Sequence, residues 1–248
     1  VDGGGRTKDE GRRLDNNRPP STVHRLPSVD VVSGFFVPDP RTPFERAMGA
    51  TVMPALEDIE PDKFLPSSRS VAFRKSAWAK VGGYPEWLDY CEDLVFDMAL
   101  RDCGMVFAFA PGAVAHFRPR STLKAFFAQY YRYARGDGKA DLWRKRHAIR
   151  YTTYAVGPIV LAWAWAHRDA GAGKLGLLVM LAAGAAYCRR PYARLMPMLR
   201  GLSPLSILYA LALVPVIRVT GDIAKMMGYP VGVLWRLRRR KSRRDDRY

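Results

Sequence analysis

The sequence predicts an α/β domain over residues 1–143 followed by a helical membrane region over 144–248. Three observations carry this. Short β-branched and aromatic runs, bounded by Pro and Gly, alternate with stretches that start and stop like capped helices. Beyond Arg144, charge-free apolar segments are fenced by Arg and Lys. The charge balance is also lopsided: 40 Lys and Arg against 23 Asp and Glu give a formal charge of +17. Such an excess calls for an anionic partner, whether nucleic acid, phospholipid headgroups or a phosphorylated substrate.

Taken in order, Val1–Arg6 reads as the tail of a strand running into a Gly-rich turn, with Asp2 as a turn residue. Residues 6–28 are polar, basic and Pro-bearing, a loop or short surface helix. Val29–Val37, closed by Pro-Asp-Pro, is a strand. Thr42 before Pro43, with Glu45 at the third helical position, starts a helix that reaches about Thr51. Residues 61–66 form a loop, and Ser67–Arg74 alternates like a strand. A helix from Ser76 to Lys80 closes on Gly82. Met105–Ala110 is a buried strand, and Pro111-Gly112 is expected to turn it into Ala113–Phe117. The cysteines, Cys91, Cys103 and Cys188, form no C-x-x-C pair and no even framework, which points to a reducing compartment.

Two stretches carry chemistry. The run Gly82-Gly83-Tyr84-Pro85-Glu86-Trp87-Leu88-Asp89-Tyr90-Cys91-Glu92-Asp93 is a tight loop that delivers two adjacent carboxylates to a helix start. Val95, Met98, Ala99 and Asp102 share one face of that helix, and Gly104 stops it. Glu92 and Asp93 either cap the helix or include a general base held ionised at its N-terminus. Cys91 beside them reads as a small pocket-lining residue. Downstream, Ser121 or Thr122 caps a helix expected to end at Gly136. Gln129, Arg132 and Tyr133 fall at i, i+3 and i+4 on one face of it. An amide, a guanidinium and an aromatic ring facing one way suit a diphosphate and a sugar ring.

These blocks together resemble the inverting family 2 glycosyltransferases of GT-A fold. The resemblance rests on Phe73–Tyr84, Glu92-Asp93, Ala115-His116 after the Pro-Gly dipeptide, and Gln129-x-x-Arg132-Tyr133. The last is similar to the Q-x-x-R-W motif of cellulose and hyaluronan synthases, with Tyr for Trp. It covers roughly residues 1–140 and implies a Rossmann-like mixed sheet whose nucleotide-binding βαβ part precedes this chain. It further implies that Asp93 is the general base, that Glu92 orients it or touches the acceptor, and that Gln129 and Arg132 hold the diphosphate while Tyr133 stacks on a sugar. A divalent cation, Mn²⁺ or Mg²⁺, would be held by Asp2 and His116. Gly4 stands where the family often carries a second carboxylate. Without the resemblance, His116 on an apolar strand reads as a hydrogen-bonded core residue. Arg118 and Arg120 either bind phosphates or are a solvated strand end.

The second region opens with the basic belt Arg144–Arg150. Tyr151–Ala166 carries no charge and is flanked by Tyr151, Tyr154, Trp163 and Trp165, the pattern of a membrane helix with interfacial anchors. A link, His167–Lys174, leads to the uncharged Leu175–Cys188. Transmembrane helices are therefore expected at about 151–167 and 174–188. The basic belt and the Arg189, Arg190, Arg194 and Arg200 loop both favour the cytoplasmic side, which makes the pair a hairpin. Leu202–Ile217, interrupted by Pro204 and Pro215, is expected to be re-entrant or surface-lying. Residues 221–235 read as an amphipathic interfacial stretch, and 236–248 as a basic tail with affinity for anionic headgroups.

The reading is a multi-pass membrane glycosyltransferase with a cytoplasmic catalytic domain, a nucleotide-sugar donor and a lipid-linked or glycan acceptor. Nucleic acid is not expected as a partner, since the basic clusters flank apolar segments and no nucleic-acid motif is present. The alternatives are a catalytically inactive membrane scaffold derived from a transferase, or a basic protein that binds a membrane surface or nucleic acid.

Overall fold

The computed structural model describes the backbone of residues 28–245 and side chains through Arg239. Asp2, and with it the expected first metal donor, lies outside the described residues. Three strands form one mixed sheet in the order β2-β1-β3. Strand β1, Val31–Pro38, is the central one. Strand β2, Val71–Phe73, pairs with it antiparallel, and β3, Phe107–Phe117, pairs parallel. The parallel pair needs a crossover, and three helices supply it: α1 (Pro43–Val52), α2 (Lys75–Lys80) and α3 (Glu92–Asp102). Helix α4, Leu123–Ala140, follows β3.

Several local expectations hold. Thr42 caps α1, its Oγ1 accepting from the Glu45 amide at 3.2 Å, with Pro43 at the first helical position. Thr122 caps α4 by accepting from the Ala125 amide. Gly104 follows α3 with φ +73°, the left-handed conformation that glycine adopts without a Cβ penalty. The core face of α3 is Phe96 and Leu100, both almost wholly buried, rather than the Val95–Met98–Ala99 side.

Three expectations are corrected. Pro111-Gly112 does not turn the chain; β3 runs through it as one strand. The register steps from Ser33↔Phe109 to Phe35↔Val114, so the dipeptide sits in a bulge against β1. Proline has no N–H to give the ladder, so the strand bows out there and rejoins. Gly34 faces the bulge: a Cβ on it would meet Ser70 Oγ at 2.0 Å and the Ala113 carbonyl at 2.5 Å.

Second, α4 does not stop at Gly136 but continues to Ala140, ending at Asp141 with φ +64°. Gly136 is there for close approach, since a Cβ would lie 2.5 Å from the Tyr90 carbonyl oxygen.

Third, the prolines do not interrupt the last apolar region. Residues Pro204–Asp245 form a single helix, α7, with Pro215 and Pro230 inside it. An interior proline removes a backbone hydrogen bond, and packing along α4 and α1 holds the helix together across the two sites.

Helices α5 (Arg144–Ala166) and α6 (Gly171–Leu195) make a hairpin, with a short turn over 167–170. Two apolar cores result. Val31, Ala77, Phe96 and Leu100 fill the space between sheet and α3. A larger core joins α1 and α4 to α6 and α7 through Met48, Phe126, Leu195, Val214 and Ile217. Helices α4 and α7 cross at glycines. A Cβ at Gly138 would lie 2.3 Å from the Tyr229 carbonyl, and one at Gly232 would lie 2.0 Å from that of Arg135.

Candidate active site

Residues of the Gln129-x-x-Arg132-Tyr133 helix face meet the loop that leads into α3. Gln129 Oε1 accepts from Arg120 Nε at 3.0 Å, and Gln129 Nε2 donates to the Tyr133 hydroxyl at 2.6 Å. The Tyr133 ring meets Tyr90 edge-on, with centroids 5.8 Å apart. Arg132 donates to the Tyr90 hydroxyl at 3.1 Å. The Cys91 thiol donates to the Tyr133 carbonyl at 3.3 Å. Tyr90 and Cys91 are therefore the joint between the two sequence blocks, and the carboxylate pair begins one residue later. Asp89 reinforces that joint by pairing with Arg135 and Lys139, one turn apart on α4. Burial raises the Asp89 pKa, but the Lys139 hydrogen bond and the charges of Lys139 and Arg135 hold it below the ordinary value overall.

Helix α3 starts from Cys91, which takes the left-handed conformation at φ 67° and makes no side-chain cap. Glu92 and Asp93 thus occupy the first two helical positions, where the helix dipole favours negative charge. Asp93 Oδ1 accepts from the Leu94 amide at 2.8 Å. One turn further in, Asp97 is 4% exposed. Burial pushes its carboxyl up to about 7, the Asp93 charge adds to the rise, and Arg101 opposes it. Burial also drives the Cys91 thiol well above its usual range, with Asp137 assisting. A thiol held protonated is no nucleophile; Cys91, expected to line a pocket, binds the Tyr133 carbonyl instead.

A cavity of about 160 Å³ opens beside the α4 face, with Gln129, Tyr130, Tyr133, Arg120, Arg69 and Phe117 in its wall. The structure thus gathers Gln129, Tyr133 and Arg120 in one place, with Arg132 beside them on Tyr90. Glu92, Asp93 and His116 are not in that wall. His116 is exposed on β3, opposite Val37. Among the described residues no group of three His, Cys, Asp or Glu side chains could hold a metal ion. His116 is therefore a single donor there. Arg118 binds Glu45 at 2.8 Å, a carboxylate with no exposed surface, so a buried structural charge already claims its guanidinium.

Sequence reasoning missed Tyr90, Asp89 and Arg69. Tyr90 and Asp89 lay inside the loop singled out, but nothing local distinguishes a tyrosine that will meet a helix some forty residues on. Arg69, whose guanidinium stacks on Phe117 at 4.1 Å, carried no motif.

Residues 62–232 match the model of glycosyl transferase family group 2, more than half of the chain. The chain belongs to this family. No curated protein and no solved structure matches it. As a family 2 glycosyltransferase it carries out glycosyl transfer, which implies binding of a nucleotide-sugar donor and an acceptor. The family generally depends on a divalent cation. In the transferase the matched region takes in both the α3 carboxylates and the α4 face. It also reaches the helices long and apolar enough to cross a membrane, Gly171–Leu199 and Pro204–Arg239.

Proposed function

We propose that the transferase moves a sugar from a nucleotide-sugar donor to an acceptor hydroxyl with inversion, at the cytoplasmic face of a membrane. The observation that supports this most is the docking of the α3 start on the α4 face through Tyr90 and Cys91. Asp93 takes the proton from the acceptor hydroxyl. That oxygen attacks the anomeric carbon from the side opposite the diphosphate, whose bond to the sugar breaks as the nucleoside diphosphate leaves with the electron pair. Glu92 orients the base or contacts the acceptor. Gln129, Arg132 and Arg120 bind the diphosphate, and Tyr133 stacks on a sugar ring. Arg118 belongs to the strand end through its ion pair with Glu45. When bound, a Mn²⁺ or Mg²⁺ ion would neutralise the leaving diphosphate, with Asp2 and His116 as its expected donors.

The membrane part of the proposal is a hairpin of α5 and α6 entering the bilayer, with α7 lying along its surface. One face of α7 packs on α1 and α4. The other presents Leu205, Leu208, Val216, Val219, Ile223, Met227, Val231 and Leu234 at near-helical spacing, each between 39% and 78% exposed. A bare apolar stripe of this kind suits burial at the headgroup–acyl boundary. Lipid-linked as well as glycan acceptors then come within reach of the site.

The test is Asp93→Asn in the full-length enzyme. Transfer should fall by about 10²–10⁴-fold, while binding of the donor nucleotide, followed by equilibrium dialysis, should stay near that of the parent. Turnover at the parent rate would refute the base assignment.

A further inference from the structure

A second, larger cavity of about 470 Å³ lies where α1, α4, α5, α6 and α7 meet. Its wall holds four cationic side chains, Arg146 and Arg150 from α5 and Arg218 and Lys225 from α7, against a single carboxylate, Asp222. Asp222 is already occupied. It accepts from Arg150 Nε at 2.8 Å, from the Tyr187 hydroxyl at 2.5 Å and from the Tyr154 hydroxyl at 3.3 Å. Lys225 comes no closer to it than 3.9 Å and stands over the Tyr130 ring. Arg218 stacks on Tyr187 at 4.0 Å. Its Nε is buried without a hydrogen-bond partner, and among the described residues it forms no ion pair. With four cations against one occupied carboxylate, the wall carries an excess of positive charge that an incoming anion would balance. Residues 218, 222 and 225 share one helix face. The guanidinium fork and ammonium directed into the cavity match a tetrahedral phosphate.

The surroundings of the cavity select the source of that phosphate. Both helices long and apolar enough to cross a membrane contribute to its wall, α6 through Tyr187 and α7 through Arg218, Asp222 and Lys225. Ile149 in the wall is 66% exposed, and Val219 and Ile223, each next in sequence to a wall residue (Arg218 and Asp222), are exposed apolar residues of the α7 stripe. A hydrocarbon chain leaving the cavity would have apolar surface to lie on. Phe126, Tyr130 and Val52 line this cavity and the Gln129–Tyr133 cavity alike, so the two share a wall of these three side chains.

We infer that this basic cavity binds the phosphate group of a membrane lipid, placing it one side-chain layer from the transfer site. The inference rests on the membrane-bound transferase reading above. The probe is labelled farnesyl phosphate, bound to the purified full chain in uncharged detergent micelles and measured by equilibrium dialysis. Saturable binding is expected. Arg218→Gln and Lys225→Gln should each weaken it at least tenfold. Lys225→Arg should keep the affinity, and Arg168→Gln, the same charge loss on the exposed 167–170 turn, should leave it unchanged. Should Arg218→Gln fail to fold, the Gln and Arg variants of Lys225 decide the matter.

Competition identifies the source of the phosphate. Displacement by phosphatidylglycerol supports the site, with a bulk phospholipid as occupant. Equal binding of farnesol, or displacement by inorganic phosphate or uridine diphosphate at concentrations like those of the lipid phosphate, would overturn the lipid assignment. Undiminished binding in both Gln variants would overturn the site. Asp93→Asn should bind the probe as the parent does, so failure of the transfer chemistry and failure of this site are separately visible.

Discussion

Asp97 makes the stability of the transferase depend on pH in a way that one substitution should abolish. Its carboxyl is almost fully buried on α3, one turn beyond Asp93, and titrates near 7 in the folded chain. In the unfolded chain an aspartate titrates near ~3.9. Between those values the native state holds a proton that the unfolded state has released, so stability falls as pH rises through the window and levels off above about 7. The slope is about 1.4 kcal/mol per pH unit for one proton, so about 2–3 kcal/mol are lost between pH 5 and pH 7. Asp97→Asn keeps the shape of the protonated carboxyl and cannot ionise. Thermal unfolding in detergent, followed by circular dichroism at pH 5, 6, 7 and 8, should show the variant's advantage growing with pH. At about 2–4 °C per kcal/mol for a chain of this size, the two midpoints should diverge by about 4–12 °C over that range. Parallel curves for parent and variant would refute the reasoning and mean that Asp97 stays ionised in its site.

Two further outcomes follow from the geometry. Gly232→Ala places a methyl group 2.0 Å from the Arg135 carbonyl and should cost at least about 1–3 kcal/mol of overpacking, read as a lower unfolding midpoint; Gly157→Ala, with nothing within 4 Å, should show no such cost. Chelation should abolish transfer and Mn²⁺ or Mg²⁺ restore it, with His116→Ala raising the metal concentration needed; metal-independent turnover would leave His116 as an ordinary strand residue.

What the sequence disclosed was what depends on near neighbours. The Thr42 and Thr122 caps, the Gly104 stop and the facing of Gln129, Arg132 and Tyr133 are fixed within a turn or two of helix, and they stand in the structure as read. What stayed hidden depends on a partner distant in the chain. Pro111-Gly112 looks like a turn until β1 is alongside; a parallel ladder then carries the strand past it. Gly136 looks like a helix stop because the approach of Tyr90, which demands a glycine, leaves no local trace. The same holds for α7, whose prolines read as breaks in isolation yet sit inside a helix braced along its length. The carboxylates of α3 and the α4 face were both legible, but the residues that join them, Tyr90 and Cys91, were not legible as a joint.

Helix α4 is the element that ties the candidate site to the apolar helix α7. One side carries Gln129 and Tyr133 into the smaller cavity, and Asp89 grips it through Arg135 and Lys139. Its last turns are locked to α7 by backbone contact at Gly138 and Gly232, where no side chain intervenes to absorb a displacement. Trp87, from the loop before the carboxylates, stacks on Trp235 of α7 at 5.9 Å, so that loop is fixed to the same helix. Close-packed contacts of this kind transmit shifts rather than damp them. Under the proposed membrane arrangement, a change in how α7 sits on the bilayer moves Gln129, Tyr133 and the entrance to α3 together. In the proposed arrangement the site is carried by the membrane-facing helix itself, and access to it is expected to follow the depth at which that helix lies.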